Sequence, residues 1–257
     1  MIRDNLSRRA WTVWRRNLDV YLKSWRVNLL TPAFEPVLYL LALGFGVGSY
    51  IAEIDGVPYV RFIAPALVAI SVMNASFFEC TYGSYVRMYY QKTFDAIVAT
   101  PVSIEEVIAG EILWGATRSL ISASLMLPVL VLFGVVALPS SLFLIPFAFA
   151  AGLLFASIAM CFTSIIPNIE SINYPAFLFI TPMFLFSGTF FPLDLLPAPL
   201  QALALAALPL AHVVNVCRAL TLMAGWELLA LGLAWIAVVT PPLFLLALRL
   251  MRRRLVV

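Results

Sequence analysis

The sequence predicts an all-α integral membrane protein with six transmembrane helices. Hydrophobic residues make up 63% of its 257 positions and charged residues only 11%, whereas a soluble domain carries about a quarter charged residues. Most of the 16 Lys and Arg lie in the N-terminal arm, just after the second apolar stretch, and at the C-terminus. Such an excess marks the cytoplasmic side of membrane proteins. We therefore expect both termini to be cytoplasmic, which requires an even number of crossings.

The first predicted element is an amphipathic helix in the cytoplasmic segment 1–28. At 100° per residue its apolar side chains, among them Val13, Trp14 and Tyr21, fall on one side and its arginines on the other. A helix with Trp and Tyr at its apolar edge and Arg on its polar face lies in the membrane interface. We expect this arm to contact the membrane lipids, with a solvated cytoplasmic arm as the alternative.

The segment 29–257 is predicted to form the transmembrane domain, because a crossing needs about 20 mostly apolar residues. Six stretches qualify: 32–50, 62–86, 112–136, 142–166, 172–191 and 228–248. The segment 192–227 is interrupted by prolines and carries His212 and Arg218. A seventh crossing there would place the Arg-rich tail outside, against the charge rule. It is predicted to form short re-entrant helices on the outer side, held within protein, and the alternative is that they lie on the surface.

The cytoplasmic loop 87–111 carries the clearest local signals. Thr93 is predicted to cap a short helix with Asp95 in its first turn, where the helix dipole favours an acid. Pro101 ends that helix. Ser103 with Glu106 three residues later is a capping box, which starts the next helix into the membrane.

One face of the short helix in this loop is apolar. Phe94, Ile97 and Val98 lie on it at helical spacing. An apolar cytoplasmic face requires a cover, which is either the protein's own inner surface or a partner. The pattern alone leaves both interpretations open.

The second and third crossings each carry a charged residue inside the membrane. Glu79 and Arg118 are both predicted about 10 Å from the cytoplasmic edge, from the rise of 1.5 Å per residue. A lone charge at that depth is costly, so we predict an ion pair between them. Two alternatives are open: Arg118 extends to the headgroups, or it pairs with Glu35.

The sequence contains no readable enzyme or metal site. It has no G-x-x-x-x-G-K-[ST] phosphate loop, and its only histidine, His212, lacks the acids or cysteines that catalysis or zinc binding would need. Cys80, Cys161 and Cys217 are far apart within apolar sequence, which indicates packing. We expect no enzymatic activity, no bound metal and no nucleic-acid partner.

Two segments closely resemble the type-2 ATP-binding-cassette (ABC) exporter permeases. KTFDAIVATPVSIEEVIAGE at 92–111 is similar to the coupling loop of that family, and FSGTFFPLDLLP at 186–197 is similar to the segment before its outer short helices. LGFGVG at 43–48 is a weaker match. Within the family the chain is most similar to the branch that exports lipo-chitooligosaccharide nodulation factors.

The resemblance implies a homodimer of permeases in the inner membrane with two separate ATPase subunits on its cytoplasmic side. ATP and Mg²⁺ would be bound by those subunits, and no cofactor by this chain. The cargo it implies is a lipid-linked oligosaccharide or similar amphiphile, with a drug or another small amphiphile as the alternative. An ion-driven secondary transporter is a different class, and we see neither the internal repeat nor the midplane charges it would show. The residues implied to couple to the ATPase are Thr93, Phe94, Asp95, Ala96, Ile97, Val98, Thr100 and Pro101.

The resemblance also implies that the first and fifth crossings meet their counterparts across the dimer axis. Gly44 and Gly48 have the G-x-x-x-G spacing that permits close helix approach. The fifth crossing and its outer end are rich in Phe, whose rings suit sugars and acyl chains, although ordinary packing is the alternative. The aromatic candidates for an export path or dimer face are Phe184, Phe186 and Phe190.

Overall fold

The computed structural model describes residues 7–51, 53–54, 56–136, 138–223 and 225–256, without the side chains of 27, 29–33, 35, 36 and 45. The prediction of an all-α membrane protein is confirmed. Five helical segments of the described chain are long and apolar enough to cross a membrane. One short antiparallel pair, β1 (Glu53–Ile54) with β2 (Val57–Pro58), interrupts the helices.

Two helices meet almost end to end at the N-terminus. The amphipathic arm forms α1 (Ala10–Lys23), and α2 (Trp25–Leu41) begins after the single residue Ser24. A π-helical turn (Ala42–Gly46) and a 3-10 turn (Val47–Ser49) continue α2 through the predicted first crossing. The arm therefore ends earlier than the predicted boundary at residue 28.

The next four helices include the predicted coupling loop. Helix α3 (Tyr59–Phe78) continues through π-helical turns (Glu79–Gly83 and Val86–Tyr90), so that its span runs over Tyr59–Tyr90. Below, α3 denotes this whole span. Helix α4 (Thr93–Val98) is the short loop helix, and α5 (Ile104–Leu132) begins at the capping box. A 3-10 turn (Ser140–Phe143) leads into α6 (Leu144–Ile165). Helix α5 starts before the predicted crossing because the cap, and not the hydropathy, sets its first residue.

The C-terminal third contains a broken span, a bent helix pair and one long helix. The span Ile169–Phe186 includes α7 (Asn173–Pro175) and α8 (Thr181–Phe186), joined by a π-helical turn. Helices α9 (Ala198–Ala207) and α10 (Pro209–Leu222) are bent by 89°, and α11 (Trp226–Leu255) closes the chain. The short helices predicted for 192–227 are present, and their re-entrant placement stays a prediction.

His212 has a structural role in the bent pair. Its Nε2 lies 2.7 Å from the backbone oxygen of Leu205 on α9. Its ring stacks on Trp235 of α11 at 4.4 Å between centroids. The only histidine of the chain thus holds the bend against the last helix.

Helices α3, α5 and α6 form the centre of the bundle through small residues. A Cβ built on Gly115 would lie 2.5 Å from the sulfur of Cys80 on α3, and one built on Gly152 of α6 would lie 2.7 Å from Ser119 of α5. Such contacts replace the hydrophobic driving force that lipid does not supply between helices. Cys80 is buried in this packing, as the sequence predicts.

Helix α1 packs on protein as well as facing outward. It buries Val13 and Tyr21 while Trp11 and Leu22 remain exposed. A Cβ built on Gly110 of α5 would lie 2.6 Å from Val13 and 2.8 Å from the backbone oxygen of Ala10. The N-terminal arm is therefore seated on the beginning of α5.

We expect Gly110→Ala to lower the apparent Tm of the purified protein by several degrees. The added methyl group cannot fit without moving α1, and overpacking costs about 1–3 kcal/mol. The matched control is Gly46→Ala, which adds the same group to a helical residue with nothing within 4 Å. Equal Tm values for the two variants would show that α1 is not seated in this way.

Candidate functional site

The predicted coupling helix α4 begins without the side-chain cap that the sequence predicts. Lys92 occupies the N-cap position in the left-handed conformation, with φ of 51°, and no side chain caps the helix. Thr93 is the first helical residue, so the prediction that it caps α4 is wrong. Its hydroxyl instead accepts a bond of 3.5 Å from Arg16 of α1. Asp95 lies in the first turn as predicted, with Lys92 Nζ 3.9 Å away.

The apolar side chains of α4 face two different directions. Phe94 is only 1% exposed and belongs to the protein's own core. Ile97 is half-buried, whereas Val98 is 41% exposed. Of the two covers left open by the sequence, the protein's own surface therefore covers Phe94, whereas Val98 remains available to a partner. Of the eight residues implied to couple to the ATPase, the structure leaves five exposed: Asp95, Ala96, Val98, Thr100 and Pro101.

The capping box at the start of α5 is fully formed. The Glu106 backbone N–H donates to Ser103 Oγ at 3.2 Å, and the Ser103 backbone N–H donates to Glu106 Oε2 at 2.8 Å. The other Glu106 oxygen accepts from the Ser7 backbone N–H at 3.1 Å. Arg9 donates to the backbone oxygen of Pro101. The N-terminal arm is thus hydrogen-bonded to both sides of this turn.

The Arg-rich tail has contacts that the charge pattern did not predict. Arg252 Nη1 lies 2.8 Å from Glu105 Oε1 at the start of α5. Arg254 donates to the backbone oxygens of Thr163 and, at 2.5 Å, of Ile166, which end α6. Cationic side chains are favourable at the carbonyl end of a helix. The C-terminus, the N-terminal arm and the loop therefore meet at one end of the bundle.

A buried carboxylate lies beside this end. Glu111 of α5 is 0% exposed. It accepts hydrogen bonds from Asn17 of α1 at 2.7 Å and from Ser84 of α3 at 2.7 Å. Arg87 of α3 completes the set, with Nη2 at 2.5 Å and Nε at 2.9 Å. One carboxylate thus joins three helices.

The predicted partners Glu79 and Arg118 lie together, but Arg87 is the stronger partner of Glu79. Arg87 Nη1 is 2.8 Å from Glu79 Oε1, while Arg118 Nε is 3.4 Å from Glu79 Oε2 without hydrogen-bond geometry. The Arg118 guanidinium also lies 4.7 Å from the centre of the Tyr21 ring, and its side chain is 19% exposed. Arg118 thus lies between Glu79 and the Tyr21 ring of α1. The alternative partner, the side chain of Glu35, lies outside the described residues.

The four charges form a neutral group, which we name the ion cluster: Glu79, Arg87, Glu111 and Arg118. Sequence reasoning placed Arg87 in a cytoplasmic charge group and gave Glu111 no role. Arg87 lies two helical turns after Glu79, and Glu111 directly precedes an apolar stretch. Arg87 lies at the end of one predicted crossing and Glu111 at the beginning of the next, so a base and an acid face each other at adjacent helix ends. That pattern was the signal that could have identified the pair Arg87 and Glu111.

The glycines predicted for the dimer face, Gly44 and Gly48, both lie next to residues of α3 in the same protomer. A Cβ built on Gly44 would lie 3.3 Å from Val60 of α3. One built on Gly48 would lie 3.8 Å from Tyr59 and from Val60. Gly44 therefore approaches α3 of the same protomer closely, whereas Gly48 makes ordinary contacts. A role of either glycine in the dimer face stays a prediction.

The three aromatic candidates differ in environment. The rings of Phe184 and Phe190 pack edge to face at 4.8 Å, and Phe186 is exposed. Arg218 of α10 holds this outer turn: its Nη2 donates to the Gly188 backbone oxygen at 2.6 Å. Packing accounts for two of the three, and an export-path role for any of them stays a prediction.

Comparison with known proteins identifies the family. A family model described as ABC-2 type transporter matches residues 8–222. The chain belongs to this family. It is 37% identical to Nodulation protein J of Rhizobium meliloti over 246 residues, which cover 95% of this chain and 92% of that protein. Nodulation protein J of Sinorhizobium fredii is 34% identical over 243 residues, with the same coverage. The Inner membrane transport permease YadH of Escherichia coli is 23% identical over 205 residues and 75% of each chain.

The family match and these relatives confirm the resemblance read from the coupling loop and the outer turn. The chain is the permease subunit of an ABC exporter, a multi-pass component of membrane transport. The match runs from the N-terminal arm to the end of α10, so it includes α4 and the complete ion cluster.

We expect Arg87→Met to reduce the yield and thermal stability of the permease severely. Removing one partner of a buried ion pair costs about 3–5 kcal/mol, because the other charge is left uncompensated. The matched control is Lys92→Met, whose ion pair with Asp95 is exposed and worth little. The double change Arg87→Met/Glu111→Met should recover much of the loss, because it leaves Glu79 with Arg118. A double variant as unstable as the single one would contradict this account.

Proposed function

We propose that this permease moves a lipid-linked oligosaccharide, or a similar amphiphile, outward across the inner membrane, driven by a separate ATPase. Helix α4 is the single observation that carries the proposal. Phe94 anchors it in the core, while Asp95, Ala96 and Val98 remain exposed. A short helix that is fixed on one side and exposed on the other is suited to transmit the movement of a docked motor. The ATPase supplies the ATP and Mg²⁺ chemistry, and this chain binds neither.

The contacts at the inner end support a topology with both termini cytoplasmic. Ser7 bonds to Glu106, and Arg252 pairs with Glu105 on the same turn of α5. Both ends of the chain thus lie on the side of the loop that carries α4. That arrangement and the charge rule both support the even number of crossings that we propose.

The assembly we propose contains two permeases and two ATPase subunits. Only 22% of the span Ile169–Phe186 is buried within the protomer. Tyr174, Phe177 and Leu178 are exposed along it. Exposed apolar surface of this kind faces lipid or a second copy of the chain. The cargo class is supported by the similarity to Nodulation protein J over 95% of the chain.

We expect the purified permease alone to hydrolyse no ATP. In proteoliposomes that also contain its ATPase, it should move an acylated oligosaccharide to the opposite leaflet only when ATP is present. A catalytically inactive ATPase variant is the control for passive leakage. Nucleotide-dependent turnover by the permease alone, or transport driven by an ion gradient without ATP, would refute the proposal.

We expect Val98→Asp to weaken ATPase binding by about tenfold or more while the permease stays folded. Burying an uncompensated charge in an apolar contact costs at least 1–3 kcal/mol. The matched control is Val256→Asp, the same change at another exposed residue, which should leave binding within about twofold. Phe94→Asp is not a clean test, because it would disrupt the core. Unchanged ATPase affinity and transport in Val98→Asp would show that this face does not dock the motor.

A further inference from the structure

A cavity of about 700 Å³ lies beside the ion cluster. One face of α3 forms its main wall, with Ser71, Asn74, Phe78 and Tyr82 at helical spacing. The rest of the wall comes from α2, from α5 and from the beginning of the span Ile169–Phe186. The volume is within the range of about 300–1,000 Å³ typical of small-molecule sites.

Among the described residues, the lining contains amide and hydroxyl groups, and its charged side chains are Glu79 and Arg118, which lie 3.4 Å apart. Asn74, Ser71 and Ser122 add neutral polar groups. An anionic headgroup such as a phosphate would meet the Glu79 carboxylate, and the described lining offers no cation beyond Arg118, which Glu79 already pairs. The chemistry favours an uncharged polar ligand.

Two polar atoms at this wall lack hydrogen-bond partners among the described residues. One is the acceptor Asn74 Oδ1 and the other is the donor Arg118 Nε, and both atoms are buried. A buried polar atom left unpaired costs about 1–3 kcal/mol, so such atoms require explanation. A hydroxyl group both donates and accepts. A ligand with several hydroxyl groups could satisfy both atoms.

Aromatic side chains surround the mouth of the cavity. Tyr39, Phe78 and Tyr82 line it and are exposed at the surface of the protomer. Rings of this kind combine an apolar face with, in Tyr, a polar tip. They suit the junction between a sugar and an acyl chain. Phe184, Phe186 and Phe190 do not line this cavity.

We propose that this cavity binds the uncharged, hydroxyl-rich headgroup of the exported amphiphile. Asn74 accepts a hydrogen bond from a sugar hydroxyl, Arg118 donates one, and the acyl chain leaves past Phe78 and Tyr82. The inference rests on the proposed function and names the site at which the cargo would first be held.

The test measures binding by the full-length permease in lipid nanodiscs, without ATPase. The probes are palmitoylated chitotetraose and a palmitoyl lipid with a phosphate headgroup. We expect the sugar-headed probe to bind more tightly, and Asn74→Leu to weaken it by about five- to tenfold, as for the loss of one buried hydrogen bond. The affinity of the phosphate-headed lipid should not change.

Two serine variants on α5 form a matched pair. Ser122→Ala removes a hydroxyl from the cavity wall and should weaken the sugar-headed probe by about threefold. Ser124→Ala removes a hydroxyl that bonds to the Leu120 backbone oxygen, outside the cavity, and should have no effect. If Asn74→Leu does not fold, this pair decides. Unchanged affinity in Ser122→Ala, or tighter binding of the phosphate-headed lipid, would overturn the site.

These outcomes separate the site from the proposed function. If Asn74→Leu and Ser122→Ala both bind the sugar-headed probe normally while wild-type permease and ATPase transport it, the site is wrong and the function stands. If binding depends on Asn74 and Ser122 but ATP drives no transport, the function is wrong and the site stands.

Discussion

The buried carboxylate of Glu111 constrains how the end of the bundle that carries α4 is built. Transferring a carboxylate from water into the interior costs several kcal/mol unless its oxygens are fully paired. Asn17, Ser84 and Arg87 supply those partners from α1 and α3. None of the three helices can withdraw without leaving a charge unpaired. The N-terminal arm is for this reason part of the bundle and not an independent element.

The same pairing determines what a movement of α4 can do. Arg87 lies on the helix that enters the loop and Glu111 on the helix that leaves it, and their side chains are 2.5 Å apart. A force on α4 would therefore displace α3 and α5 together and would not spread them. The sequence assigned this joining role to Glu79 with Arg118. In the structure that pair is the more distant contact, and Arg87 with Glu111 holds the helices.

The elements that sequence reasoning placed correctly depend on local signals. Hydropathy locates the spans, and the Ser103–Glu106 box locates the first residue of α5, because both are properties of neighbouring residues. The direction of Phe94 could not be predicted in the same way, since helical spacing defines a face but not what covers it. Glu111 was missed for a related reason: its burial depends on α1 folding back over α5, a tertiary contact that no local pattern contains.

The ion cluster and the proposed headgroup site share two side chains, and this has an energetic consequence. Glu79 is divided between Arg87 at 2.8 Å and Arg118 at 3.4 Å. A ligand hydroxyl that accepts from Arg118 Nε would weaken the hold of Arg118 on Glu79 and strengthen that of Arg87. Coupling free energies between two binding events are reciprocal. If binding of the cargo changed the affinity for the ATPase by a given factor, binding of the ATPase to α4 would change the affinity of the cavity for the cargo by the same factor. Cargo and motor would then act on one group of charges, at the junction between the loop and the membrane-spanning bundle.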